Sequence, residues 1–228
     1  MEKLNAENFY KKYIECITSK DREEVVRKWY YDSKTENALI KKKEETRWTK
    51  HVNRTIIPQI LAGFLKKYPH QANISRLPKF AYNEFYKIDV TGWTYLDQND
   101  MDKELSLSFN SSGMNWHCWA LEAAIEHEND PKDFFYEIIK LLYIDCPLRV
   151  VIGYNNISKR DNPCTGDLKK LGIIHEQIKQ LGKLDCLNRG EFLIIIGNSG
   201  GRIDSDIEKM CGYRAYLLKS SGIESLRN

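Results

Sequence analysis

The sequence predicts an α/β protein with a mixed central sheet, flanking helices and an N-terminal helical region. Short β-branched and aromatic runs alternate with helical patterns from residue 82 onward, whereas residues 5–67 show only helical spacing. The 228 residues suffice for a core of their own, and 13 Gly with 6 Pro do not indicate low complexity. We therefore expect a basic helical region over 1–80 and an α/β core over 81–228, which forms one compact unit with the preceding helix.

The N-terminal region is predicted to be helical because its apolar residues recur at intervals of three and four. Phe9, Tyr13 and Ile17 share one helix face, and residues 56–65 form a second amphipathic helix that ends before Pro69.

Residues 41–54 form a basic segment with six bases, two acids and an interleaved Trp48. This composition suits contact with a phosphate backbone, and Trp48 is the tryptophan we consider for base stacking, although a solvated helix face has the same composition. The residues expected to bind nucleic acid are Lys41, Lys42, Lys43, Arg47, Lys50 and Arg54.

The core elements follow from strand runs and turn signals. Runs at 85–96, 104–109 and 116–128, separated by turn-rich segments, predict an antiparallel meander. A helix is predicted from Pro131 to Ile144, with Asn129 or Asp130 as its cap. A strand at 148–154, a helix at 167–181, a buried strand at 192–197 and a last strand at 213–219 complete the prediction.

Charge is distributed unevenly along the chain. Residues 1–80 hold 18 Lys and Arg against 10 Asp and Glu, a net of +8, and residues 81–228 hold 17 against 22, a net of −5. A basic segment beside an acidic centre suits an enzyme that acts on a polyanion with a bound divalent metal, but solvated helix faces would give the same imbalance.

The cell compartment is predicted from what the sequence lacks. The six cysteines show no C-x-x-C pair, so we expect reduced thiols rather than a zinc site or disulfides. The longest apolar run, Phe192–Ile196, is too short for a membrane span, and the N-terminus lacks a signal-peptide pattern. A cytoplasmic protein without a membrane partner is the expectation.

Three acids are the candidate catalytic residues. Asp89 stands between Ile88 and Val90 in a strand, where an ionised carboxylate is costly unless it is paired or bound to metal. Alternation places Glu126 and Glu128 on one strand face with Cα atoms about 6.6 Å apart, a spacing that favours a shared cation over mutual repulsion. The alternative is an open strand face with ordinary surface acids.

These residues carry a resemblance to a known superfamily. The order helix, meander, helix, strand over residues 40–155, with an acid in one meander strand and E-x-E near the end of the next long one, resembles the restriction-endonuclease-like PD-(D/E)xK nucleases. The resemblance implies that Asp89 and Glu126 hold Mg²⁺, for which Mn²⁺ is a possible substitute. Glu128 then occupies the lysine position, as in the type II restriction enzymes that carry E-x-E, and is either the water-positioning base or a second metal ligand.

Further site residues are implied only as candidates. A displaced lysine is sought at Lys87, Lys132 or Lys140, and an additional acid from the preceding helix at Glu36, Glu44 or Glu45. The implied function is a Mg²⁺-dependent endonuclease acting on double-stranded DNA, a type II restriction or defence enzyme that forms a homodimer when the target is palindromic. The alternative is a non-catalytic module of the same fold that binds nucleic acid or a protein.

Overall fold

The computed structural model describes residues 2–33, 47–65, 88–95, 119–130, 133–156, 163–199 and 206–226. Within these ranges the chain forms a six-stranded mixed sheet with helices packed on its faces. The predicted α/β class, with a mixed central sheet, flanking helices and an N-terminal helical region, is therefore confirmed.

The six strands lie side by side in chain order. The first pair is antiparallel, the second, third and fourth strands are mutually parallel, and the last two strands return antiparallel. The strands are β1 (Val90–Tyr95), β2 (Trp119–His127), β3 (Leu148–Asn156), β4 (Glu191–Ser199), β5 (Arg214–Lys219) and β6 (Gly222–Leu226).

The helices fall into an N-terminal group and a group that connects the parallel strands. The first group is α1 (Ala6–Thr18), a 3₁₀ turn at Lys20–Arg22, α2 (Glu23–Ser33), a helical stretch at 47–51, a π-helical turn at Val52–Ile56 and α3 (Ile57–Phe64). In the second group, α4 (Phe134–Leu142) joins β2 to β3, and α5 (Pro163–Gln180) with a 3₁₀ turn at Leu184–Asn188 joins β3 to β4. A short helix, α6 (Ile207–Cys211), precedes β5.

The sheet is covered on both faces. In β3, Val150 and Ile152 pack with the N-terminal helices, whereas Val151 packs with α4 and α5. This follows from the alternation of side chains along a strand, and strands buried on both faces read as continuous apolar runs. The run Phe192–Ile196 in β4 has this position, with every residue at most 1% exposed.

The structure differs from the prediction at three elements. β1 pairs directly with β2, with Val90 opposite Ile125, so the two strands are not separated as a three-strand meander requires. The predicted strand at 104–109 lies outside the described residues. α4 begins at Phe134 rather than Pro131, and β6 had not been predicted.

A buried acid near the start of α5 ties the carboxyl end of β3 to β5. Asp167 is fully buried and accepts hydrogen bonds from Asn155 of β3 (2.8 Å), from Arg214 Nε (2.5 Å) and from the Tyr216 hydroxyl (2.9 Å). A buried carboxylate needs such partners. The network therefore fixes β3, β5 and α5 at the sheet end where the candidate acids lie.

Two further sequence expectations concern membranes and thiols. Among the described helices, none has the length and apolar character needed to cross a lipid bilayer. No disulfide joins two cysteines within the described ranges, which contain Cys16, Cys146, Cys164, Cys186 and Cys211.

Candidate active site

The predicted acids Asp89 and Glu126 meet where β1 begins and β2 ends. Val90 pairs with Ile125, so the antiparallel register extended by one residue places Asp89 opposite Glu126. The backbone N–H of His127 donates to Asp89 Oδ2 at 2.9 Å. The structure thus brings together two carboxylates that lie 37 residues apart in the sequence.

Glu126 is the more deeply buried of the two acids, with only 3% of its side chain exposed. Burial raises its pKa to about 9; Lys140 acts against this shift, and the nearby carboxylates of Asp89 and Glu137 add to it. A buried carboxyl with neighbouring carboxylates resists ionisation, and each cation brought close to it favours the ionised form.

Lys140 of α4 supplies the cation at this site. Its Nζ lies 2.7 Å from Glu126 Oε1 and 2.5 Å from Glu137 Oε2. Burial lowers the pKa of Lys140, but the hydrogen bonds to Glu126 and Glu137 outweigh burial and leave it above its usual value. Lys140 therefore stays protonated and links the strand acid to the helix acid.

Asp89 is half-buried and contacts the N-terminal helices. Burial raises its pKa, whereas the His127 N–H and a hydrogen bond donated by the side-chain amide of Asn53 lower it. Asn53 lies in the π-helical turn, a feature that often marks functional positions because its extra residue redirects side chains. Within the described residues Asn53 Oδ1 is buried without a hydrogen-bond partner.

Glu128 lies just beyond β2, in the connection to α4. Its Oε1 accepts a hydrogen bond from the Asp130 N–H at 2.6 Å. Burial raises its pKa, the Asp130 N–H acts against this, and Glu137 and Asp133 add to the shift. Glu128 is therefore part of the same acidic surroundings, but one of its oxygens is held by the turn.

The remaining predicted site residues have separate positions. Arg47, Lys50 and Arg54 are exposed on the helical stretch and π turn before α3. Several other candidates lie outside the described residues: Glu36, Lys41, Lys42, Lys43, Glu44, Glu45, Lys87 and Lys132.

Trp48 does not stack on a ligand, contrary to the sequence interpretation. It is fully buried, and its indole Nε1 donates to the Tyr154 hydroxyl at 2.6 Å. The same hydroxyl lies 2.8 Å from His127 Nε2, so His127 is a hydrogen-bonded histidine of the core. Trp48 lies on the buried face of its helix, whereas the basic residues Arg47, Lys50 and Arg54 are on the exposed face.

Two residues of the site were missed by sequence reasoning. Glu137 precedes Lys140 by three positions on a helix, a spacing that indicates an ion pair between the two. The spacing does not reveal that Lys140 also contacts Glu126. Asn53 gave no signal, because a π turn is not visible in apolar spacing.

Metal binding at the acids would depend on the ligands present in the described part of the chain. There, no three His, Cys, Asp or Glu side chains are grouped so that they could hold one metal ion. Mg²⁺ sites often use only one or two carboxylates and complete their shell with water and substrate phosphate. Asp89 and Glu126 offer hard oxygen donors of this kind, and the Asn53 side chain contacts Asp89.

Comparison with known proteins yields no relatives. No protein-family model matches the sequence, no curated protein matches it, and no solved structure matches the chain.

Proposed function

We propose that the chain is a Mg²⁺-dependent nuclease that hydrolyses phosphodiester bonds of DNA, with a restriction-endonuclease-like core. The single observation that carries this proposal is the convergence of Asp89, Glu126 and Lys140 at one end of the sheet. Two acids and a protonated lysine are the groups that phosphodiester hydrolysis needs for holding a divalent metal and stabilising developing negative charge.

The strand order supports the proposal. β1 runs antiparallel to β2, and α4 then leads to β3, which is parallel to β2. The helix and the strand that follow β2 match the order of elements in the resemblance to the PD-(D/E)xK superfamily, whereas β1 and β2 pair directly instead of forming the expected three-strand meander. It places Asp89 and Glu126 on neighbouring strands and Lys140 on the following helix.

The metal would be held by Asp89 and Glu126, with Asn53 Oδ1 as a further oxygen. A buried amide oxygen without a partner carries a free-energy cost that a ligand would relieve. The raised pKa of Glu126 likewise means that its ionised form is costly without a cation, and a bound divalent cation would favour that form. When bound, Mg²⁺ would polarise the phosphodiester and lower the pKa of a water molecule.

The side chains of the chain would have distinct tasks in this reaction. Lys140 would place its ammonium beside the reacting phosphate and stabilise the charge that develops on its oxygens. Glu137 would hold Lys140 in place through the 2.5 Å ion pair. Glu128, whose pKa burial raises, would position or deprotonate the attacking water, or bind a second metal ion.

A second candidate function is a non-catalytic module that binds nucleic acid or a protein. The observation that favours it is the contact of the Lys140 ammonium with both Glu126 and Glu137, which places a positive charge in the acidic cluster without a metal. In this case the only role of the acids would be to stabilise the packing of α4 against β2.

The test is cleavage of supercoiled plasmid by the purified protein in Mg²⁺, in Mn²⁺ and in EDTA. We expect metal-dependent cleavage that Glu126→Gln abolishes and that the exposed-acid control Glu176→Gln retains. Discrete fragments would support a type II restriction enzyme, for which a homodimer in solution is the associated prediction. The absence of cleavage with either metal on several DNAs would support the non-catalytic module.

A further inference from the structure

Two tyrosines on α4 are unusually exposed. Tyr136 is 67% exposed and Tyr143, the residue that follows the last turn of α4, is 64% exposed; in the described residues no other large apolar side chain reaches these fractions. Tyr143 follows Tyr136 by seven positions, about two helical turns, so they lie on the same side of the helix, about 10 Å apart along its axis. We call this pair the tyrosine face.

The tyrosine face borders the acidic site. Lys140 lies between the two tyrosines in sequence, one turn beyond Tyr136, and its ammonium contacts Glu126. Glu137, the residue directly after Tyr136, contacts the same ammonium. A strand whose phosphate reaches Lys140 therefore has an aromatic ring within reach on either side.

A lysine accompanies the second ring. Lys183 Nζ lies 5.1 Å from the centroid of the Tyr143 ring, and it forms no ion pair with a carboxylate in the described residues. An aromatic ring with an adjacent cation is the combination that single-strand binding surfaces use, the ring for a base and the cation for a phosphate.

We propose that Tyr136 and Tyr143 stack on unpaired bases of a nucleic-acid strand whose backbone enters the acidic site, while Lys183 contacts a phosphate beyond Tyr143. The bases that the two tyrosines contact are thus unpaired, in a single strand or in a duplex that opens next to the scissile bond, because the faces of paired bases are covered by their neighbours. This inference rests on the proposed function only for the role of the acidic site.

Binding of fluorescent oligonucleotides in EDTA tests the tyrosine face without cleavage. The probes are a labelled 20-nucleotide single strand and its duplex, followed by anisotropy. We expect tighter binding of the single strand, and a loss of about tenfold or more in the variant Tyr136→Ser/Tyr143→Ser, the range that removal of stacking rings produces. Tyr136→Phe/Tyr143→Phe keeps both rings and should bind as the wild type does.

The matched control is Ile173→Ser, which removes an apolar side chain that is 56% exposed on α5. It should leave single-strand binding unchanged, and all three variants should keep the wild-type unfolding temperature because the altered side chains are exposed. Equal single-strand affinity of the serine variant and the wild type would overturn the proposal. So would a shift from dimer to monomer in the serine variant with unchanged binding, since the face would then join two copies of the chain.

The two proposals fail in different ways. Plasmid cleavage that depends on Glu126, with no effect of the tyrosine variants on strand binding, would leave the nuclease standing and overturn the tyrosine face. Loss of strand binding in the serine variant, with no cleavage in any metal, would support the tyrosine face and overturn the nuclease.

Discussion

Replacement of Glu126 by glutamine should change how stability depends on pH. The carboxyl ionises near pH 4.5 in an unfolded chain and near 9 in the folded protein. Between these values the folded state holds a proton that unfolding releases, so the free energy of unfolding falls as pH rises, by up to about 1.4 kcal/mol per pH unit. Glutamine mimics the protonated side chain and removes this dependence.

The change in the free energy of unfolding that Glu126 contributes has an upper limit. From about pH 5.5 to 8 the Glu126 contribution is at most on the order of 3 kcal/mol, a large part of the stability of a protein of this kind. Lys140 adds no pH dependence in this window, because its folded pKa lies above the usual 10.5. Asp89 and Glu128 have raised pKa values of the same sign, but both remain in the variant.

The assay is urea denaturation of wild type and Glu126→Gln in EDTA at several pH values between about 5.5 and 8. We expect the free energy of unfolding of the variant, relative to that of the wild type, to increase as pH rises. Parallel stability curves would refute the reasoning, because they would mean that Glu126 is ionised in the folded protein throughout this range.

Three further predictions concern single contacts. Asp167→Asn should lower the free energy of unfolding by about 3 kcal/mol in urea denaturation, because it leaves Arg214 without its buried charged partner. The control Glu176→Gln, on the surface of α5, should lower it by under about 1 kcal/mol. Gly153→Ala should lower the unfolding temperature, because an added Cβ would lie 2.3 Å from the Phe134 ring; recovery in Gly153→Ala/Phe134→Leu checks that cause. Asn53→Ala should weaken Mn²⁺ binding about tenfold in a calorimetric titration, and unchanged affinity would exclude its amide oxygen as a ligand.

The sheet could largely be predicted from local patterns. The strand β4 carries a continuous apolar run between turn residues, and α4 has apolar residues at helical spacing, so both elements were predicted within a few residues. The last strand, β6, was missed because its five residues follow β5 after a two-residue turn and are only half-buried or exposed. Its place is set by pairing with β5 rather than by an apolar pattern.

The candidate site could be predicted only in part. Asp89 was identified because a carboxylate in an apolar strand is costly, and Glu126 because it was predicted to share a strand face with Glu128 at a spacing that favours a shared cation. The contact of Lys140 with Glu126 depends on how α4 crosses β2, and Asn53 depends on a π turn, so spacing in the sequence could not select them. Trp48 was misread for a related reason: a basic segment does not reveal which helix face is buried.

The central claim is that Asp89 and Glu126 hold a divalent metal, and direct titration of Mn²⁺ into the protein tests it. We predict that the wild type binds Mn²⁺, that Asp89→Asn and Glu126→Gln abolish binding, and that Glu176→Gln binds as the wild type does. Binding that persists in Asp89→Asn and Glu126→Gln, or no binding by the wild type, would contradict the account.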